Sequence, residues 1–414
     1  MAFPYKQTFK QSIQDIKDEG RYRKFTTIER INNQFPKAYF YDDQNQKKEV
    51  TVWCSNDYLG MGQHPKITRA AQQAIEKSGV GAGGTRNISG TTKYHKDLEE
   101  SVADLHQKQR GLIFSSGYTA NEGTLMTLGR LLPDAVFLSD QLNHASMIHG
   151  MKDSKCQIKI FRHNDIEHLE SLLKSLPADI PKIIAFESIY SMEGDVAPIN
   201  EICDLADQYN ALTYLDEVHA VGLYGPRGGG MAEQLGIMER IDIIEGTFGK
   251  GYGSMGGFIT GDADLIDAIR SFSSSFIFTT SLPPATLAAS LAAVEHLKTS
   301  QDERVILQEN TKLLKGVLTQ GGLNFYDGGT HIIPLILGSD RCCKELASIL
   351  LDVYNIYVQP INYPTVPKGT ERLRLTASAV HSRQDIMALG NILSGLWQMN
   401  HNQDCGHLSC ISAI

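Results

Sequence analysis

The chain is short of the features that mark several protein classes, and each shortage excludes something. No apolar run is long enough to span a bilayer, so no membrane association is expected. The opening stretch MAFPYKQTFKQSIQDIKDEGRYRKF lacks the apolar core of a signal peptide. It also carries acidic residues that transit peptides avoid, so a cytoplasmic protein, or a mature processed form, is expected. There is no basic stripe interleaved with aromatics, and a formal net charge of −8 over 414 residues runs against nucleic-acid binding. Cysteine is sparse and odd in number: Cys54, Cys156, Cys203, Cys342, Cys343, Cys405 and Cys410 are scattered, and none forms a CxxC pair. That pattern predicts reduced thiols rather than a disulfide framework or a zinc site, and no metal is expected. The terminal CGHLSC is the one place where metal or redox chemistry is conceivable, and its plainer reading is an unstructured tail. Neither HExxH nor GxSxG occurs, which removes the commonest metalloprotease and hydrolase readings. No internal repeat or low-complexity linker is present.

What the chain does contain is length for two domains and an alternation of β-rich and helical segments. The runs GLIFSS, AVFLSD, QIKIF, KIIAFES, ALTYLDE, IIEGTF and GGFITG are short and apolar, and helical patterns such as NEICDLADQYN and DIEHLESLLKSL lie between several of them. That order predicts a largely parallel sheet covered by helices, with ligands gathering at the carboxyl ends of its strands. From about residue 290 the pattern changes to long helices followed by HIIPLILG, IYVQPIN and RLRLTAS and a last helix, as in a smaller α+β domain. The expected division is an N-terminal arm over 1–47, a large domain over 48–290, a small domain over 291–400 and a flexible tail over 401–414.

Two segments match GxGxxG, at Gly79, Gly81 and Gly84 and at Gly251, Gly253 and Gly256. A helix pattern precedes the first and a strand pattern follows the second, so both lack the strand-then-helix setting that a dinucleotide fingerprint needs. Lys250 follows a glycine, but Ile244 and Gly251 stand where a phosphate loop requires glycine and Ser or Thr.

A different set remains. Asp216 ends an apolar strand in TYLDEVHAVG, with His219 three residues on, and the next strand leads to Lys250 between Gly249 and Gly251. A carboxylate at a strand end can hold a protonated pyridine nitrogen, and an aldehyde cofactor joined to the lysine amine would then serve as an electron sink. Taken singly, either residue reads more readily as part of an ordinary Asp–Lys ion pair at a sheet edge. Ser115, Ser116 and Gly117 precede a helix pattern opening near Asn121, where free amides suit a phosphate or simply cap the helix. His144 follows another strand end, where an imidazole can stack on a ring or sit satisfied in the core. All four elements fall at strand ends, which makes them one candidate site.

This constellation resembles the fold-type I enzymes that use pyridoxal 5'-phosphate (PLP), and more narrowly the α-oxoamine synthases, which join an amino acid to an acyl-CoA with loss of carbon dioxide. The likeness runs from about residue 20 to 398 and is carried by EGRYRKF, VWCSNDYLGMGQHP, GAGGTRNISGTTKYH, LNHASMI, FESIYSMEGD, LDEVHAVGLYGPRG, SFIFTTSLPP and YVQPINYPTVPKGTERLRLT. It implies an α/β, aspartate aminotransferase-like fold with a mostly parallel central sheet flanked by helices and a smaller α+β C-terminal domain. It implies PLP held as a covalent aldimine on Lys250, with Asp216 at the pyridine nitrogen, His219 and Ser191 at the ring hydroxyl and His144 stacked on the ring. Ser116, Gly117, Tyr118 and Thr247 would serve the phosphate, with Thr279 and Thr280 reaching in from a partner subunit. Glycine would be held through its carboxylate by Arg374 and Asn56, and the succinyl end of succinyl-CoA by Arg23, Thr85, Asn87 and Thr365. The last set favours succinyl-CoA over the acetyl, pimeloyl or palmitoyl donors of sibling enzymes. A homodimer with the site at the subunit interface is also implied. Phe248 and Gly251 depart from the family's usual Leu and Ala beside the lysine, a change that bears on loop mobility and turnover. No Cys-Pro pair occurs, so the haem-responsive motif of animal members is missing and a bacterial origin is expected.

Overall fold

The computed structural model describes residues 3–19 and 21–401, so all but the first residue of the expected tail, with its two cysteines, lies outside the described residues. The chain divides into two compact units, one covering Asn56–Leu307 and the other combining residues up to Ser55 with those from Gln308 on.

The first unit is built on seven strands: β1 (Arg110–Phe114), β2 (Val136–Asp140), β3 (Gln157–Phe161), β4 (Lys182–Glu187), β5 (Leu212–Asp216), β6 (Ile243–Thr247) and β7 (Gly257–Gly261). Their order across the sheet is β1-β7-β6-β5-β4-β2-β3. Among the described residues β7 alone runs against its neighbours, pairing antiparallel with both β1 and β6. Every residue of β2, β4, β6 and β7 is buried, which means both faces of the sheet are covered and explains why these strands read as unbroken apolar runs. Phe114, Phe137, Ile183, Tyr214, Ile243 and Ile259 meet helix residues such as Leu125 and Met147 in one core.

This unit extends past the boundary expected near 290. The helix Pro284–Leu297 packs on the helices Pro65–Ser78 and Lys93–Leu105, burying Leu287, Ala293, Val294 and Leu297 among them, so it belongs with the large sheet.

The second unit holds the first 47 residues and the C-terminal elements together rather than leaving the former as a separate arm. Strands Thr27–Arg30, Lys37–Tyr41 and Lys47–Val52 form an antiparallel meander, and Ile356–Tyr357 adds to its last strand in parallel. A second sheet joins Ile332–Ile336, Arg372–Thr376 and Pro360–Ile361. Helices Asp340–Tyr354 and Arg383–His401 supply Leu346, Leu350, Leu389 and Leu393 to a core that also takes Trp53, whose ring stacks on His381 at 3.9 Å. IYVQPIN, expected as one strand, is broken into two short pieces with Val358 and Gln359 between them.

Candidate active site

The carboxyl ends of five parallel strands, with the loops that follow four of them, meet at one cavity of about 390 Å³. β1 leads to Gly117 and Tyr118, β2 to His144, β5 to His219 and β6 to Lys250, while β4 contributes Glu187 at its own end. Gly117, Tyr118, His144, Asp216, His219, Thr247 and Lys250, all singled out by sequence, line that cavity together.

The helix expected to open near Asn121 begins four residues earlier, spanning Gly117–Leu131. The cause is a capping box: the Ser116 hydroxyl accepts from the Thr119 amide at 3.1 Å, and the Thr119 hydroxyl accepts from the Ser116 amide at 3.1 Å. The first-turn amides of Gly117 and Tyr118 are therefore at a helix N-terminus facing the cavity, an arrangement suited to a phosphate. A Cβ on Gly117 would come within 3.1 Å of Glu245 Oε1 and 3.3 Å of Thr247 Cβ, so a side chain there would fill the cradle. The Thr247 hydroxyl, at the end of β6, donates to Gly256 O at 2.9 Å and accepts from the Gly249 amide at 3.1 Å.

Asp216 is almost fully buried yet well held. Its Oδ2 accepts from Asn121 Nδ2 at 2.7 Å and its Oδ1 from the Val218 amide at 2.9 Å. The Tyr214 hydroxyl donates to Asn121 Oδ1 at 2.8 Å, which fixes the amide's orientation. On the strands either side, Glu187 and Glu245 occupy the positions paired with Asp216. Burial, reinforced by the charge on Asp216, holds both glutamates well above the usual carboxylate range, with the Lys250 ammonium opposing.

His144 caps the helix Ala145–Ser154, its Nδ1 accepting from the Ser146 amide at 3.3 Å, while its own amide donates to Glu187 Oε1 at 2.7 Å. Burial lowers its pKa, with Asp216 pulling the other way, so the ring is neutral near pH 7 and free of the solvation cost of a charged stacking partner. His219 Nδ1 lies 2.9 Å from the Tyr58 hydroxyl, which donates onward to Asn56 Oδ1 at 3.1 Å. Lys250 sits in a loop folded back on itself: Phe248 and Gly256 pair through backbone, Ser254 donates to Phe248 O, and Gly253 donates to Lys250 O at 2.9 Å.

The other sequence candidates fall elsewhere. Ser191 is half-buried in the turn beyond β4. Thr280 pairs by a single β-bridge with Thr85, and both Thr279 and Thr280 line a separate space of about 230 Å³ beside Arg86 and Phe276. The Thr85 hydroxyl accepts from the Ile88 amide at 3.3 Å, and Asn87 is exposed on the same loop. In the second unit Arg374 is buried on its strand opposite Pro334, and Arg23 Nη2 donates to Thr365 Oγ1 at 2.9 Å across 342 positions of sequence.

Sequence reasoning missed Asn121, Glu187, Glu245 and Tyr58. A signal was available for the two glutamates, since each is the lone acid in a fully buried strand. Among the described residues one group has metal-ligand composition, His64, His296 and Glu303. The Nδ1 atoms of both rings lie at donors of Lys66, its amide at 3.3 Å and its Nζ at 3.4 Å, and His296 Nε2 lies 2.6 Å from Glu303 Oε1, so the group is a hydrogen-bonded cluster.

An amine, a buried carboxylate, a neutral imidazole and a helix N-terminus around one cavity define the class. Residues 48–392 match the family model of aminotransferase class I and II, and the chain belongs to that family. A serine palmitoyltransferase from S. paucimobilis with a bound PLP–myriocin aldimine superposes with a TM-score of 0.86 at 30% identity, covering 95% of this chain and 97% of that one. An 8-amino-7-oxononanoate synthase from Francisella tularensis shares the fold with a TM-score of 0.72 at 22% identity, over 85% of this chain and 99% of its own. The 5-aminolevulinate synthase of Rhizobium meliloti (strain 1021) is 55% identical over 389 residues, 94% of this chain and 96% of that protein. That of Paracoccus denitrificans (strain Pd 1222) is 52% identical over 395 residues, 95% and 97% of the two chains. The chain belongs to the 5-aminolevulinate synthase family.

Proposed function

We propose that the protein condenses glycine with succinyl-CoA to give 5-aminolevulinate, coenzyme A and carbon dioxide, the entry step to tetrapyrroles and haem. The observation that carries the reading is the convergence of Lys250, Asp216, His144 and the Gly117 helix terminus on one cavity, in a chain half identical to enzymes of that name. PLP, when bound there, supplies an electron-withdrawing ring that stabilises negative charge at the glycine α-carbon.

The side chains have distinct tasks in this reading. The Gly117 and Tyr118 amides with Ser116 and Thr247 hold the phosphate, and Asp216, oriented by Asn121 and Val218, pairs with the protonated ring nitrogen. His144 covers one ring face, and His219, steadied by Tyr58, meets the ring hydroxyl with Ser191. Lys250 carries the cofactor through its Nζ and, once released, takes the α-proton from glycine. The α-carbon then bonds to the succinyl carbonyl carbon, the thioester C–S bond breaks, and coenzyme A leaves as the thiol. After carbon dioxide departs, Lys250 returns a proton to the same carbon. Arg374 offers its planar fork to the glycine carboxylate with Asn56. Arg23 and Thr365, already hydrogen-bonded to each other, together with Thr85 and Asn87 receive the succinyl carboxylate. Thr279 and Thr280 serve the phosphate of a second copy in a homodimer. A cytoplasmic location fits the free thiols of Cys54, Cys156, Cys203, Cys342 and Cys343, and no helix of the described residues is long and apolar enough to cross a membrane.

The test is product formation by the PLP-loaded protein with glycine and either succinyl-CoA or acetyl-CoA. Succinyl-CoA should be the preferred donor and 5-aminolevulinate the product. Preference for acetyl-CoA would place the protein with a sibling enzyme instead.

A further inference from the structure

β4, β5 and β6 carry Glu187, Asp216 and Glu245 in one register row. In-register residues on parallel neighbours point to the same face, so three carboxylates stand side by side at the carboxyl end of the sheet. All three are within about a hundredth of full burial. Asp216 has two hydrogen-bond donors, and Glu187 has one from the His144 amide. Neither oxygen of Glu245 receives any donor.

An ionised glutamate in that place is physically untenable. Removing an ion from water costs several kcal/mol, and here no donor offsets the loss. The adjacent Asp216 charge adds repulsion. The titratable groups facing Glu245 are Asp216, Glu187, Tyr214 and Lys250, and of these Lys250 alone favours its ionisation. A proton on Glu245 reverses the problem, because the carboxyl becomes a donor and the in-register Asp216 on the next strand, about 4.8 Å away in the hydrogen-bonding direction of the sheet, is an acceptor.

We propose that Glu245 is a positioning residue: held neutral, it donates a hydrogen bond to Asp216 and keeps that carboxylate charged and aimed at the cofactor's ring nitrogen. The inference rests on the reading of the cavity as a PLP site. Glu245 does not touch substrate. It acts through Asp216, supplying a third donor beside Asn121 and Val218.

Two variants and two measurements test it. In the cofactor-free protein, infrared difference spectra between the parent and Glu245→Gln should contain the stretch of a protonated carboxyl belonging to Glu245. In the PLP-loaded protein, the visible band is titrated against pH. Glu245→Gln keeps a neutral donor, and its midpoint should stay within about 0.3 of the parent's. Glu245→Leu removes the donor, so Asp216 draws the ring-nitrogen proton toward itself and the ring becomes less positive. The lysine–cofactor link then keeps its proton longer, and the midpoint should rise by about one pH unit. An infrared difference without the protonated-carboxyl signal overturns the proposal, even if Glu245→Leu does not fold. So does a midpoint lowered in Glu245→Gln, the mark of a lost negative charge, or one unmoved in Glu245→Leu. A parent that binds PLP without any visible band defeats the reading of the site itself, separately from the role of Glu245.

Discussion

The Tyr58 hydroxyl stands 2.9 Å from His219 Nδ1 and 3.1 Å from Asn56 Oδ1, tying the segment before the large domain's first helix to the loop after β5. One hydroxyl proton cannot serve both neighbours. With that proton directed to Asn56, the hydroxyl accepts from Nδ1–H and leaves His219 Nε2 as the atom facing a ligand hydroxyl. Tyr58→Phe should lower kcat/KM by roughly 5- to 10-fold, the equivalent of about 1 kcal/mol for one lost hydrogen bond. Cofactor dissociation should rise in step, while KM for succinyl-CoA stays put. Steady-state kinetics with a PLP titration checks this, and unaltered values would mean that Tyr58 does not orient His219.

Lys250→Ala should remove the visible absorption band of the PLP-loaded protein and cut kcat by at least ~10³-fold, because one amine serves as both attachment point and proton carrier. Absorption spectra and product assays read the two effects independently. A surviving band would place the attachment on another lysine.

Much of the large domain was legible because parallel strands buried on both faces have no choice but to be apolar throughout. QIKIF coincides with β3, and KIIAFES overshoots β4 by one residue. The site was legible for the same reason: polar residues just past apolar runs mark strand ends, and Asp216, His144 and Lys250 all obey that rule. What stayed hidden depends on pairing between distant segments. Glu245 looks like an ordinary member of IIEGTF until β5 sets Asp216 beside it. Tyr58 lies 161 positions from His219. The first 47 residues read as an arm because the strand that joins their sheet from the C-terminal half, Ile356–Tyr357, is only two residues long and some three hundred positions away.

Arg23→Ala should raise KM for succinyl-CoA by roughly 10- to 100-fold, in line with about 1.5–3 kcal/mol for a hydrogen bond to a charged group, and change KM for acetyl-CoA by less than ~2-fold. Thr365→Val should repeat the pattern more weakly, since it removes only the hydroxyl that Arg23 contacts at 2.9 Å. Parallel KM measurements with both donors decide it. Equal losses would remove the carboxylate role.

His163 lies between two carboxylates, its Nδ1 2.9 Å from Asp140 and its Nε2 2.8 Å from Asp195. Burial works against the charged ring, but hydrogen bonds to both acids prevail and raise its pKa to about 10. A raised pKa gives stability that is complete below the unfolded value of about 6.5 and is lost as pH climbs through the folded one. The parent should therefore lose stability between about pH 6.5 and 10. His163→Gln should be less stable at pH 6 by about 2 kcal/mol, a figure discounted for the ring's partial exposure, and should lack that pH-dependent loss. Chemical denaturation of the two proteins across this range measures the difference. A parallel pH dependence in both would show that the ring is not charged.

The two glycines flanking Lys250 look equivalent in sequence and are not equivalent in space. A Cβ on Gly251 would fall 2.6 Å from the backbone oxygen of Val221 and 2.4 Å from Leu223 Cδ1, whereas one on Gly249 would meet nothing nearer than Thr247 Oγ1 at 3.5 Å. Leu223 can turn aside, but the Val221 carbonyl belongs to the tightly bonded turn after β5 and cannot move without shifting His219 two residues earlier. Phe248, the other departure from family pattern, is fully buried against Tyr252 and Phe258 and so fixes the loop from within. Gly251→Ala should accordingly cost about 1–3 kcal/mol in denaturant melts and weaken PLP retention. Gly249→Ala should stay within about 0.5 kcal/mol of the parent on both measures. Should Gly249→Ala prove the more damaging, the room needed beside Lys250 is not set by the Val221 carbonyl but by movement of the lysine itself during turnover, and kcat rather than stability would carry the loss.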